Sequence, residues 1–172
     1  MLYPVIHISG GLRALGTQHV GRHIGRNIAH YGAQGAWLWA LTLIPIAQVV
    51  AIEFTMPIWV AILAVTFLGE RMGLWKNLAV VLGLVGVAVI VRPFGGEMNA
   101  GQLIALASSV GFATSVIIVK ALTRTDKVVA ILFWMMVIQS VMGLAPALIY
   151  WREPTLYTWA WVLVIAFCGT YS

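Results

Sequence analysis

Charge is scarce in this chain. Lys, Arg, Asp and Glu make up 9% of its 172 residues, and only five residues are acidic. An ordinary soluble domain carries about 25% charged residues, because its outside must be covered by groups that water solvates. Ten Lys and Arg with five Asp and Glu cannot coat an 18.7 kDa globule, so a soluble enzyme is excluded. A disordered chain is excluded too, since it would be poor in apolar residues, and here they are 62%. Cysteine is almost missing. Cys168 stands alone, so there is no internal disulfide from which to read a redox compartment. In its apolar run it is expected to be a small packed residue. The sequence also lacks a Ser/His/Asp set, a CxxC pair, a Walker loop and a dinucleotide glycine pattern. No catalytic residue and no cofactor is therefore expected. The net charge of +5 is spread thinly between apolar runs, which argues against nucleic acid as a partner.

Long apolar runs fill the chain instead. The fold class they predict is all-α: a polytopic transmembrane helix bundle of about six spans plus a partial N-terminal one. Between Arg26 and Glu70 the only formal charge is Glu53, and Pro45 divides that stretch. Proline breaks a helix because it lacks the N–H and clashes one turn back. Two helices are predicted, over 27–44 and 46–69, each near the ~20 residues that a bilayer requires. Others are predicted over 74–91, 101–121, 128–150 and from 156 onward. Lys76, in the first turn of the third, is expected to snorkel to the headgroups. The N-terminal MLYPVIHI is too short to cross and lacks the positive flank of a signal peptide. No charged anchor follows the last apolar run. Both ends read as helices that have been cut.

Lys and Arg give the orientation. With the N-terminal segment in the cytoplasm, eight of the ten basic residues lie inside, among them Arg13, Arg22, Arg26, Arg71, Lys120, Arg124 and Lys127. Arg92 and Arg152 lie outside. That split follows the positive-inside rule. Tyr150, Trp151, Tyr157, Trp159 and Trp161 form an aromatic belt at the outer turn 152–154, and Trp75 does so on the inner side. The lipid bilayer is thus the expected partner, and the cell's inner membrane the expected location.

Polar residues inside the spans point to function. Glu53 is the sharpest, because a carboxylate at the bilayer centre costs about 2.5–3.5 kcal/mol on insertion scales. It must face protein or water. Pro57, four residues on, removes the partner of the residue 53 carbonyl and is expected to kink the helix. An acid at a kink suits a mid-membrane substrate or proton site; it also suits a neutral acid that tidies the broken backbone. Gln34, Trp37 and Leu41 share a helix face that would line a cavity for an aromatic or amphipathic molecule, or would carry a lipid-facing tryptophan and an interhelical amide hydrogen bond, and Trp59 also lies deep. Trp39 is expected to face lipid. Gly101, Ala105, Ser109 and Ala113, with Ala107, Gly111 and Ser115, form rows of small residues that let helices approach closely, as do Ala79 and Gly83. Ser108 and Ser109 would offer hydroxyls to a cavity, and Gln139 an interhelical hydrogen bond. His19 and His23 have a metal-like spacing, with His30 beyond. No acid or cysteine lies near them in sequence, so no metal is expected. They are read as the polar face of an interfacial amphipathic segment, opposite Val20, Ile24 and Ile28. Glu70 is expected to pair locally with Arg71 or Lys76.

Several pieces together resemble one family. They are Ala40-Leu41, Pro45-Ile46-Ala47, Phe54-Thr55-Met56-Pro57, Leu68-Gly69-Glu70-Arg71, Gly83-Leu84-Val85-Gly86 and Val91-Arg92-Pro93, followed by GQLIALASSVGFATSVIIVKAL near 100–122. The ensemble is similar to EamA-type members of the drug/metabolite transporter superfamily. The resemblance implies ten helices in two inverted five-helix repeats, a central substrate and alternating access. On that plan 1–93 hold the end of helix 2 and helices 3–5, 94–99 an outer loop, and 100–172 helices 6–8. The implied function is transport of a small organic solute such as an amino acid, amine or metabolite. The missing remainder of the transporter, or a further copy of the chain, would be a partner. The alternative is a non-transporting membrane scaffold or an inactive fragment.

Overall fold

A computed structural model describes residues 16–71, 73–91, 99–151, 153 and 155–171. The expectations for the first eight residues, Arg13, Arg92, Arg152, Pro154 and most of the loop 94–99 lie outside these, as do the side chains of Trp75 and Lys76. Among the described residues all regular structure is helical: α1 (Val20–Leu43), α2 (Ile46–Glu53), α3 (Met56–Leu68), α4 (Leu74–Val91), α5 (Ala100–Leu122), α6 (Val128–Ile149) and α7 (Leu156–Tyr171). Helices suit this composition because lipid offers the backbone no hydrogen bonds, so each segment must satisfy its own. Ile46–Leu68, taken through the break between α2 and α3, Ala100–Leu122 and Val128–Ile149 are long and apolar enough to cross a membrane. Asn77–Gly86 and Leu156–Cys168 are shorter apolar segments. The chain is a helical membrane bundle.

The boundaries follow local chemistry. Pro45 separates α1 from α2, where the sequence places the division. Gly69 ends α3 with φ +65°, a left-handed turn that glycine adopts without a Cβ penalty. Asn99 caps α5: its Oδ1 accepts from the Gly101 N–H at 3.1 Å, and its own N–H donates to Gln102 Oε1 at 3.2 Å.

α5 is the hub. α1 lies along it, α2 and α3 pack on it, α4 covers α2 and α3, and α6 rests on α1. Small residues set this closeness. A Cβ at Gly111 would stand 2.8 Å from the Ala33 Cβ, and one at Gly101 2.8 Å from Ile44 Cγ2. Ser108 donates to the Ala33 carbonyl at 2.8 Å, and Ala105, Ser109 and Ala113 are buried. The small-residue rows thus form the α1–α5 seam. Gly83 faces Ile58 across the α3–α4 contact.

Three expectations are corrected. The polar face of α1 is not interfacial: His23, Arg26 and Asn27 are buried, while Val20, Ile24 and Ile28 are the exposed side. The reason lies in Asp126, in the α5–α6 turn. It accepts from Thr17 Oγ1 at 2.5 Å and lies 2.8 Å from His23 Nε2, which gives the polar face a partner inside. Cys168 is exposed rather than packed, because α7 is exposed from Leu156 through Cys168. Gln139 makes no hydrogen bond among the described residues and is half-buried. Trp39 is exposed at 61%, as a lipid-facing residue should be. Tyr150, Trp151, Tyr157, Trp159 and Trp161 are likewise exposed.

Candidate functional site at the helix break

The span from Ile46 to Leu68 is broken before its proline. Pro57 has no N–H to give the Glu53 carbonyl, and Phe54 and Thr55 form a turn between α2 and α3. The turn closes tightly. The Phe54 N–H donates to the Val50 carbonyl at 3.1 Å, but the Thr55 N–H reaches only three residues back, to Ile52, at 2.9 Å. The kink expected from Pro57 takes the form of a two-residue interruption at Phe54 and Thr55, both still in the right-handed helical region.

Glu53 sits at the end of α2 and is half-buried. The Trp37 indole of α1 donates to its Oε2 at 3.0 Å. A carboxylate accepts several hydrogen bonds, and among the described residues Trp37 is the one donor to it. Glu53, Val50, Phe54, Met56 and Pro57 line a cleft of about 360 Å³. Pro57 itself is exposed on the cleft wall.

Behind the break runs a second polar chain. Trp59 Nε1 donates to Thr55 Oγ1 at 3.2 Å, and Thr55 Oγ1 lies 2.9 Å from Ser109 Oγ on α5. Each hydroxyl also has a carbonyl within reach: Ile52 for Thr55 at 2.7 Å and Leu106 for Ser109 at 2.8 Å. Two hydroxyl protons thus serve three positions, so one hydroxyl must leave its carbonyl to donate across the pair. Thr55 and Ser109 are 4% and 1% exposed, which makes this linkage the internal tie between the break and the hub helix.

Of the expected site residues, Trp37 and Glu53 meet each other, and Trp59 and Ser109 meet through Thr55. Gln34 is exposed on α1 and, among the described residues, forms no hydrogen bond with either group. Thr55 entered the sequence reading only as part of the piece Phe54-Thr55-Met56-Pro57. Asp126 escaped sequence reasoning because its partners Thr17, His19 and His23 lie about a hundred positions away. No group of three His, Cys, Asp or Glu able to hold a metal occurs among the described residues. Glu70 pairs across the bundle as well as lying in a charged turn: Lys120 Nζ is 2.5 Å and Arg124 3.7 Å from its Oε1.

Discontinuous helices that line a mid-membrane cavity recur in membrane transporters. Residues 9–92 match the EamA-like transporter family. The chain is 27% identical over 161 residues to the S-adenosylmethionine uptake transporter of Rickettsia bellii, covering 93% of this chain and 55% of that protein. It is 33% identical over 132 residues to the riboflavin transporter of Brucella anthropi, covering 76% and 46% respectively. With the riboflavin transporter of Vibrio cholerae it shares 28% identity over 167 residues, 96% of this chain and 55% of the relative. The chain spans about half the length of these relatives. No solved structure matches it.

Proposed function

We propose that this chain forms part of a small-metabolite transporter of the inner membrane, its N-terminal segment cytoplasmic, that works by alternating access around the α2–α3 break. Residues 1–93 would belong to a first repeat and 100–172 to a second. The observation that carries the reading is Glu53, which among the described residues accepts from the Trp37 indole alone, on the wall of a cleft at an interrupted span. Broken helices tolerate irregular backbone in membranes only where it lines a cavity or is buried in protein. Glu53 contacts a cationic group of the solute or carries a proton. Trp37 and Gln34 line the path, Pro57 keeps the break open, and Trp59 with Ser109 anchors it to α5. The relatives are named for S-adenosylmethionine and riboflavin, which supports an organic metabolite with a flat heteroaromatic part that tryptophan can stack against.

The test is flux in proteoliposomes across a panel of such metabolites, with the chain as it stands and with Glu53→Gln. Transport by the chain whose pH dependence is altered by the substitution is expected. Flux that is identical at every pH in both forms removes Glu53 from the mechanism. Absence of flux with every solute favours the scaffold reading.

A further inference from the structure

A second cleft, of about 380 Å³, runs between α3, α4 and α5. Its walls are apolar, with Phe54, Pro57, Ile58, Ala61, Ala79 and Gly83 among them, and Glu70 and Lys120 belong to the same lining. The side of the groove is open: Phe54 is 70% exposed, and Pro57 and Ala79 are exposed too. The charges stand at the level where α3 and α5 finish, for Glu70 follows the Gly69 cap and Lys120 lies in the last turn of α5. Arg124, in the turn beyond, reaches the same carboxylate oxygen and is 58% exposed. Two cations against one carboxylate leave a positive charge in excess. A greasy groove open to the bilayer and ending in excess positive charge has the chemistry of an anionic amphiphile lying along a helix bundle.

We propose that this groove is a binding site for an anionic phospholipid, with one acyl chain between α3 and α4 and the headgroup phosphate on Lys120 and Arg124. Glu70 competes with the phosphate for both cations and so limits the affinity. Basic pockets between membrane helices bind anionic headgroups in this way. Small side chains line it: a Cβ at Gly83 would stand 3.6 Å from the Ile58 side chain, an ordinary contact.

The experiment titrates the detergent-solubilised chain with phosphatidylglycerol or with phosphatidylcholine of the same acyl chains, and counts retained lipid by native mass spectrometry. Phosphatidylglycerol should be retained in preference. Arg124→Gln should cut that preference roughly fivefold, the value of one basic residue near an anionic surface. Glu70→Gln should raise it by a similar factor, an opposite change that misfolding would not produce. Gly83→Leu should expel either lipid while circular dichroism shows unchanged helicity. Equal retention of the two lipids overturns the proposal, as does a preference that survives Arg124→Gln or falls in Glu70→Gln. A mass of two chains that Gly83→Leu separates would assign the groove to a second copy and overturn it as well.

Discussion

At the scale of single residues, what distinguishes this chain is how few charged side chains it has. Asp126 shows the logic. Burial works to raise its carboxyl, but the hydrogen bond from Thr17, the one from His23 and the nearby charges of His23 and His19 outweigh that and hold it below the ordinary carboxylate value. A carboxyl lowered in the folded state adds stability above its unfolded value, and the contribution disappears as pH falls through the lowered one. The thermal midpoint in detergent should therefore fall as pH drops below the ordinary carboxylate range, and Asp126→Asn should flatten that acid limb while lowering the midpoint at neutral pH. Parallel acid limbs in the two proteins would contradict this. Sequence alone identified Glu53 from its burial cost and Trp37 from its depth, because cost and depth are local properties. It had no access to the contact between Thr55 and Ser109, or to that between His23 and Asp126, since each joins residues far apart in the chain.

Among elements, the α1–α5 seam governs the packing. Without a hydrophobic force between helices in lipid, close van der Waals contact and interhelical hydrogen bonds provide the attraction. Gly111 against Ala33, and Ser108 on the Ala33 carbonyl, supply both. Gly111→Ala pushes a methyl group to 2.8 Å from another, and should destabilise the chain by about 1–3 kcal/mol, the usual cost of overpacking. Gly86→Ala has open space around it and should be neutral or stabilising by up to about 1 kcal/mol, as for a glycine removed from a helix interior. Urea or thermal unfolding in detergent checks the pair; equal effects would show that the seam is not tight. The small-residue spacing made this seam readable in advance. Most helix limits were readable from Pro45 and from the charges, but α1 starts at Val20 rather than at 27. The turn at Phe54 and Thr55 was not, because the proline announces a disruption without saying how many residues leave the helix.

For the molecule as a whole, the pattern is inverted relative to a soluble protein. His23, Asn27, Ser108, Ser109 and Ser115 are among the most buried side chains, while Phe54, Phe67, Leu148 and Ile149 are each about 70% exposed. Such an arrangement is stable only if the surroundings are as apolar as those surfaces. Composition alone made this class legible, and the family match lies in residues 9–92. Lipid thus forms the outer solvent of this bundle. Washing membranes that contain the chain with alkaline carbonate, then sedimenting them and assaying both fractions, tests it directly. The chain should stay wholly in the pellet and leave it only with detergent. Recovery from the supernatant as a monodisperse, helical monomer in detergent-free buffer would contradict the claim.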